Sequence, residues 1–466
     1  MKIVLFAILS LVLPSFIIGA PPKVDIPALD YIPPQPERVL LSNGAVVYLR
    51  ENHDLPVFNL SLSIRTSPAD QPDKVPDAFV FLGDLWRSGG TKNKTPDKLN
   101  EALESQAISI EMGVDFESMN IGLSCLTDKE ELGLQFLKEI LFEPAFERKQ
   151  LELSKLKSLE GLKIKNDQLT GIGRRAIRDL MYGKNHPFAH SATAESIARV
   201  QRSHLIDLHK KILSPENTII SVSGDFDSKS IVLELEKIFS QWKKTSRVVP
   251  VVNLAPKPEN LGPIVFVQKD VPQSWVLMVR MGIFRNDPDR FALEVANQIL
   301  GGGGASRLFT EVRSRLGLTY GIYSFFTEPQ CQGVVGIGAQ TASGTTIDLI
   351  KATQKEVNNF LSNDIDSFEL NRAKDSLINA FSTRFETSGD IVGQWASLEI
   401  LKLDPDFLKT YTQKIRAVTK DEVKRVSQKY FLIEGSQLLV VGDKNKFKGS
   451  LEELGKVTDL PLEKID

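Results

Sequence analysis

The sequence predicts a mixed α/β protein built as two homologous halves, and three observations point there. Strand and helix signals alternate along the chain, with turn residues between them. The stretch Ile197 through Asp225 aligns without gaps to Ile415 through Asp443. In each copy an amphipathic helix, a turn and a strand ending in Gly-Asp follow in order (Gly224-Asp225 and Gly442-Asp443). Between the copies, Lys243 to Pro263 carries Pro250, Pro256, Pro258 and Pro263 with little helical periodicity, which reads as an extended linker. Each half is large enough for two α/β layers.

The elements follow in order. Residues 1–20 read as an export signal. Lys2 supplies the basic start, Ile3 to Ala20 carry no charge, and Gly19 and Ala20 precede Pro21 and Pro22. A retained membrane anchor is the alternative, since the run is near the lower limit for spanning. With no cysteine nearby, lipid attachment there is excluded. The expected location is periplasmic or secreted.

Arg38 to Ser42 and Ala45 to Arg50 flank Asn43-Gly44, the pair that suits a tight type I′ hairpin. Phe58, Leu60, Leu62 and Ile64 alternate with Asn59, Ser61 and Ser63, as in a half-buried strand. Thr95-Pro96 opens a helix expected to run through about Glu111, with proline at its first position. Thr127 and Glu130 have capping-box spacing before the next helix. Phe146 to about Lys165 is a long, highly charged helical stretch.

The formal charge of −2 gives no reason to expect a polyanionic partner, so nucleic acid binding is not expected. Two cysteines, Cys125 and Cys331, are too few for a disulfide scaffold or a Cys-rich metal site, and whether they pair is open. Five histidines are few as well. His186 and His190 have i,i+4 spacing, but Pro187 lies between them. His204 and His209, five apart on one helix, face different directions.

The most informative stretch runs from Gly301 to Tyr320. Gly301, Gly302, Gly303 and Gly304 follow an apolar helix and permit conformations or close approaches that side chains forbid. Ser306-Arg307-Leu308 comes next, then a helix with Arg307, Glu311 and Arg315 spaced for one polar face. No Gly-Lys-Ser/Thr follows, which argues against a phosphate loop. Residues alone also allow a flexible helix–helix turn with a solvated charged helix.

This block resembles the second half of the pitrilysin/insulinase-type zinc peptidases, the processing-peptidase group included. There a Gly-rich turn, Ser-Arg-Leu, an Arg-bearing helix and Gly-Leu-x-Tyr recur, matching Gly301 through Gly317-Leu318-Thr319-Tyr320. Weaker matches are Leu41-Ser42-Asn43-Gly44, Glu143-Pro144-Ala145-Phe146 and Tyr182-Gly183-Lys184-Asn185-His186-Pro187-Phe188. Together they cover about residues 37–445. The resemblance implies an α+β fold of two homologous halves, 37–243 and 264–445. A linker at 244–263 joins them and a tail, 446–466, follows. It implies that Arg313 and Tyr320 reach an active site in the other half or a partner, where a guanidinium and a phenol donate to developing carbonyl charge. Gly301 to Gly304 would form the substrate-binding turn beside them.

The family's zinc pattern, H-x-x-E-H before Gly-Thr, belongs in the first half. Counting back from Gly90-Thr91, Phe81 and Leu85 stand at the histidine positions, Asp84 at the base, and Glu160 nearest the third ligand. Phe and Leu cannot ligate a metal, and one carboxylate does not make a zinc site. The resemblance therefore implies a zinc-less subunit of an exported two-chain metallopeptidase acting on peptides or unfolded proteins. No cofactor is expected in this chain. Zinc is expected in a homologous partner subunit, and membrane contact only through an uncleaved leader. A non-catalytic peptide-binding or assembly protein of the same fold is the second reading.

Overall fold

The computed structural model describes residue 29 and residues 31–463, apart from 73, 116, 251–255, 257, 259 and 260. The export segment 1–20 and part of the 244–263 linker lie outside the described residues.

Twelve strands form two six-stranded sheets among the described residues. The first holds β1 (Glu37–Leu40), β2 (Val46–Glu51), β3 (Val57–Arg65), β4 (Ser109–Val114), β5 (Ser118–Leu126) and β6 (Thr218–Gly224), in the order β1-β2-β6-β3-β5-β4. The second holds β7 (Ile264–Gln268), β8 (Gln273–Met281), β9 (Gly321–Phe326), β10 (Val334–Ala342), β11 (Gln437–Gly442) and β12 (Val457–Asp459), in the order β12-β7-β11-β8-β10-β9. Substituting β7 to β11 for β2 to β6 makes the two orders coincide. The directions coincide too: β2–β6 and β7–β11 are parallel, and the remaining matched pairs are antiparallel. The gapless repeat in the sequence is the pair of units ending in β6 and β11. Only the sixth strand differs, since β1 pairs antiparallel with β2 whereas β12 pairs parallel with β7. Residues 446–466, expected as a tail, thus contribute a strand to the second sheet.

The first half adds α1 (Ala78–Ser88), α2 (Pro96–Glu104), α3 (Glu130–Phe142), α4 (Arg148–Lys163), α5 (Leu169–Tyr182), α6 (Ala194–Arg199), α7 (Arg202–Ile212) and α8 (Ser228–Ile238). The second adds α9 (Arg290–Leu300), α10 (Thr346–Ser362), α11 (Ser367–Ser382), α12 (Ser388–Leu401), α13 (Phe407–Ala417) and α14 (Lys420–Tyr430). One helix is exchanged in each direction. α5 of the first half packs on β8 and β11, while α12 of the second packs on β2, β3 and β6. Leu169, Ile172, Ala176 and Leu180 of α5 share an apolar cluster with Trp275, Leu277, Leu439 and Val441. Ion pairs cross the same boundary. Arg285 Nη2 lies 2.6 Å from Glu117 Oε1, and Arg38 Nη2 lies 2.9 Å from Glu399 Oε1. Arg65 donates to the carbonyls of Glu399 and Ile400, complementing the negative end of α12.

Local expectations fail where a side chain finds a better partner. The hairpin at Asn43-Gly44 exists, but only Gly44 has positive φ (93°), so it is not the type I′ turn, which needs two such residues. Leu40 pairs with Val46, leaving a five-residue loop in which Asn43 Oδ1 accepts from Ala45 N at 3.0 Å. The helix opened by Pro96 stops at Glu104; Ala107 turns the chain with φ 52° into the edge strand β4. Thr127 does not cap α3 but donates to Asp225 Oδ2 at 3.2 Å. Cys125 and Cys331 are free, and burial pushes both thiols up to about 11.

His209 is buried on α7, its Nε2 donating to Leu141 O at 2.8 Å and its ring edge-on to Trp86. Burial holds its pKa below the ordinary value of 6.5, the Leu141 carbonyl opposing this. Below pH 6.5 the unfolded chain binds the proton more readily, so stability falls as pH drops, by at most about 1.4 kcal/mol per unit from this group. Denaturant melts between pH 7 and 5 are expected to show a shallower slope in His209→Gln than in the parent. Equal slopes would exclude His209 as the titrating group.

Candidate functional site

The helix that stands where a zinc helix would be is α1, and its packing settles what it can do. Phe81 and Leu85 are 3% and 1% exposed and belong to the core of the first half. Gly83 permits this seat, because a Cβ there would lie 1.9 Å from Val114 Cγ2 on β4. Trp86 fixes the far end through Nε1 to Ile140 O at 3.0 Å. Asp84 is exposed and accepts a hydrogen bond from Ser154 of α4. Glu160 lies exposed on α4, where its Oε1 pairs with Lys163 Nζ at 2.7 Å. Two of these four side chains are interior hydrocarbon and the two acids hold protein partners, so the set does not fit a zinc ion.

All five histidines have other work. His53 meets Asp225, His204 Nδ1 accepts from Gln201 N, and His209 is the core residue described above. His186 Nδ1 accepts from Phe188 N, whereas His190 Nε2 lies 2.7 Å from Asp77 Oδ1. No group of three or more His, Cys, Asp or Glu is placed to hold a metal among the described residues.

The Gly301–Tyr320 block is built differently. Gly301 and Gly302 are required by close approach rather than by handedness. A Cβ would lie 2.3 Å from Ser324 N at Gly301 and 2.6 Å from Gln298 Cα at Gly302. At Gly303 and Gly304 nothing comes nearer than 3.5 Å. These two leave an open turn after α9. Arg307 is drawn away from the polar face expected of it, making a two-pronged pair with Glu369 on α11 at 2.8 and 2.7 Å. Arg315 pairs with Glu311.

Phe309–Arg315 is a π-helix, a wider coil than the ordinary helix expected there. Arg313 is exposed on it, its guanidinium 4.3 Å from the centre of the Phe309 ring, with no ion pair among the described residues. That helix packs on β9, and Tyr320 stands immediately before β9. Thr319 fixes the backbone there, donating to Gln340 O at 2.6 Å and accepting from Gly321 N. Tyr320 itself is 93% exposed, and its hydroxyl has no partner among the described residues. Arg313 and Tyr320 are therefore donors presented outward from anchored backbone.

Residues 199–377 match the family model described as the Peptidase M16 inactive domain. Over that stretch the chain is similar to an M16 inactive domain. A Bacillus subtilis relative described as the uncharacterized zinc protease YmxG is 21% identical over 397 residues, covering 85% of this chain and 95% of its own. The Helicobacter pylori relative called non-peptidase homolog YmxG is 23% identical, covering 86% and 93%. The crystal structure of a peptidase M16 inactive domain from Pseudomonas fluorescens superposes with TM-score 0.79 at 25% identity, over 89% of this chain and all of that one. The pitrilysin-type resemblance read from residues 301–320 and the two-half α+β fold thus stand.

One set of residues had no place in the sequence reading. Asn59, Ser61 and Ser63 of β3 register there only as the outward face of a strand. In the structure they line a cleft beneath α12. The alternation showed their direction, but no periodicity reveals which helix covers them.

Proposed function

We propose that this chain is the zinc-less subunit of an exported two-chain metallopeptidase. It pairs with an M16 homologue bearing H-x-x-E-H and supplies Arg313 and Tyr320 to that partner's zinc site. The observation that carries the reading is the state of these two side chains: exposed, unpaired, and mounted on a π-helix and a strand start that packing holds in place. A structural arginine and tyrosine would be expected to hold partners within the chain, as Arg307 and Tyr411 do. In this reading Gly303 and Gly304 keep the turn beside the donors open for a peptide or unfolded segment.

The domain assignment belongs to the same proposal: a removed leader at 1–20, halves at 37–243 and 264–445, and a linker at 244–263. The extent of β12 supports including 446–466 with the second half. Export is supported by the uncharged run at Ile3 to Ala20 and by structural likeness to a protein described as the periplasmic protease PqqL of Escherichia coli, with TM-score 0.74. No helix among the described residues is long and apolar enough to cross a membrane. The name of the Helicobacter relative favours the second reading, a peptide-binding or assembly protein.

The experiment is reconstitution. The chain is mixed with an H-x-x-E-H homologue from the same genome, and complex formation and cleavage of an unfolded protein are followed. The expected result is a heterodimer whose turnover far exceeds that of either chain alone. A complex without added turnover would put the binding protein first.

A further inference from the structure

The two halves give an internal comparison, because matched strands place matched residues on the same sheet face. Asn59, Ser61 and Ser63 of β3 stand where β8 has Trp275, Leu277 and Val279. Ser221 and Ser223 of β6 stand where β11 has Leu439 and Val441. In the second half this face is sealed. α5 lays its apolar side on it, and the Trp275 ring fills the space where a Cβ of Gly173 would lie, 1.7 Å away. Tyr323 and Phe325 cover Gly338 and Gly336 of β10.

In the first half the same face is open. The cleft between it and α12 has a volume of about 650 Å³. Nothing lies within 4 Å of a Cβ built on Gly122 in its floor or on Gly393 in its wall. Ser221 and Ser223 are 6% and 5% exposed, yet their hydroxyls have no partner among the described residues. Asn59 Oδ1 accepts from Ser124 Oγ at 2.8 Å, which leaves its Nδ2 donor free. These groups face the open cleft, where a ligand's hydroxyls could take the place of water as their hydrogen-bond partners.

We propose that this cleft is a binding site for a neutral oligosaccharide. The floor groups Asn59, Ser61, Ser63, Ser124, Ser221 and Ser223 are all uncharged, and the acids Glu111 and Asp115 lie at the β4 side. That argues against phosphates and zwitterions. Val392, Ala396 and Ile400 of α12 make one wall aliphatic. Hydroxyls and carboxamides below with aliphatic carbon at the side suit a sugar ring, which offers equatorial hydroxyls and an apolar C–H face. An extended peptide gains its affinity from main-chain pairing at a free strand edge. β3, β5 and β6 each have neighbours on both sides, so most of the floor has no such edge; the one free edge, that of β4, lies at the acidic side of the cleft. The site is independent of Arg313 and Tyr320, and it is tested on the chain alone.

The test is saturation-transfer NMR and calorimetry with chitotetraose, cellotetraose and maltotetraose, beside a blocked neutral tetrapeptide. At least one tetrasaccharide is expected to bind with Kd of about 0.1–1 mM, and the peptide not to bind. Ser61→Leu and Ser223→Val install the side chains of the sealed half and are expected to weaken binding at least tenfold while the melting temperature holds or rises. Asn59→Ala removes the free donor without adding bulk and is expected to weaken binding similarly, which covers the case in which a larger residue disturbs the sheet. Failure of all three sugars to bind, preference for the peptide, or binding unchanged in folded Ser61→Leu and Asn59→Ala would each overturn the proposal.

Discussion

Tyr320→Phe is expected to cut the turnover of the reconstituted pair by about 10²–10³, the usual cost of one oxyanion donor, with the melting temperature unchanged. The reasoning starts from exposure. At 93% exposed, Tyr320 has almost no burial to lose, and its hydroxyl has no partner among the described residues whose loss could destabilise the fold. The variant therefore separates chemistry from stability more cleanly than truncation to alanine would. Arg313→Lys is the companion. It keeps the charge but loses the planar fork and the flat stacking on Phe309, so it is expected to reduce turnover if the guanidinium geometry matters. If Arg313 were only structural, its variant would lower stability, and activity would fall only with the folded fraction. Turnover, melting temperature and the amount of complex formed are to be measured on the same preparations. Parental turnover in both variants would mean that this chain completes no active site.

The larger architecture was legible because it rests on pattern. Alternation along β3 and the matched helix–strand units ending at Gly224 and Gly442 need no knowledge of tertiary contacts. What was not legible depends on partners distant in sequence. Thr127 has the spacing of a cap, but its hydroxyl donates to Asp225, almost a hundred residues on. Arg307 shares a helical face with Glu311 in principle, yet Glu369 offers a two-pronged pair. The exchange of α5 and α12 leaves no mark in either segment, because an amphipathic helix does not say which sheet it covers. The same holds for the candidate site. The identity of Arg313 and Tyr320 came from motif resemblance, whereas their exposure came only from the fold. The polar cleft was half visible, since Asn59, Ser61 and Ser63 read as outward but not as enclosed.

Restoring histidines at positions 81 and 85 is expected to break the first half rather than bring back a zinc site. Phe81 and Leu85 are 3% and 1% exposed within a continuous apolar cluster, so α1 has turned this face into core. Replacing a large buried apolar side chain costs about 2–5 kcal/mol where the site cannot collapse, and each imidazole also buries polar nitrogens without partners. A combined loss of about 5 kcal/mol is a large share of the 5–15 kcal/mol that holds a typical domain. At about 2–4 °C per kcal/mol for a unit of this size, Phe81→His with Leu85→His is expected to lower the melting temperature by about 10–20 °C. Zinc could offset this only by binding, and the remaining groups are badly placed for it. Glu160 is a surface residue paired with Lys163, and Asp84 is engaged by Ser154. Elemental analysis after dialysis is expected to find no stoichiometric zinc in either the parent or the double variant. One tightly held zinc per double-variant chain, with the melting temperature restored and then lost again in Glu160→Gln, would show instead that the ligand geometry survives beneath the apolar side chains. Its absence would mean that imidazoles at these two positions of α1 do not make a zinc site within this packing.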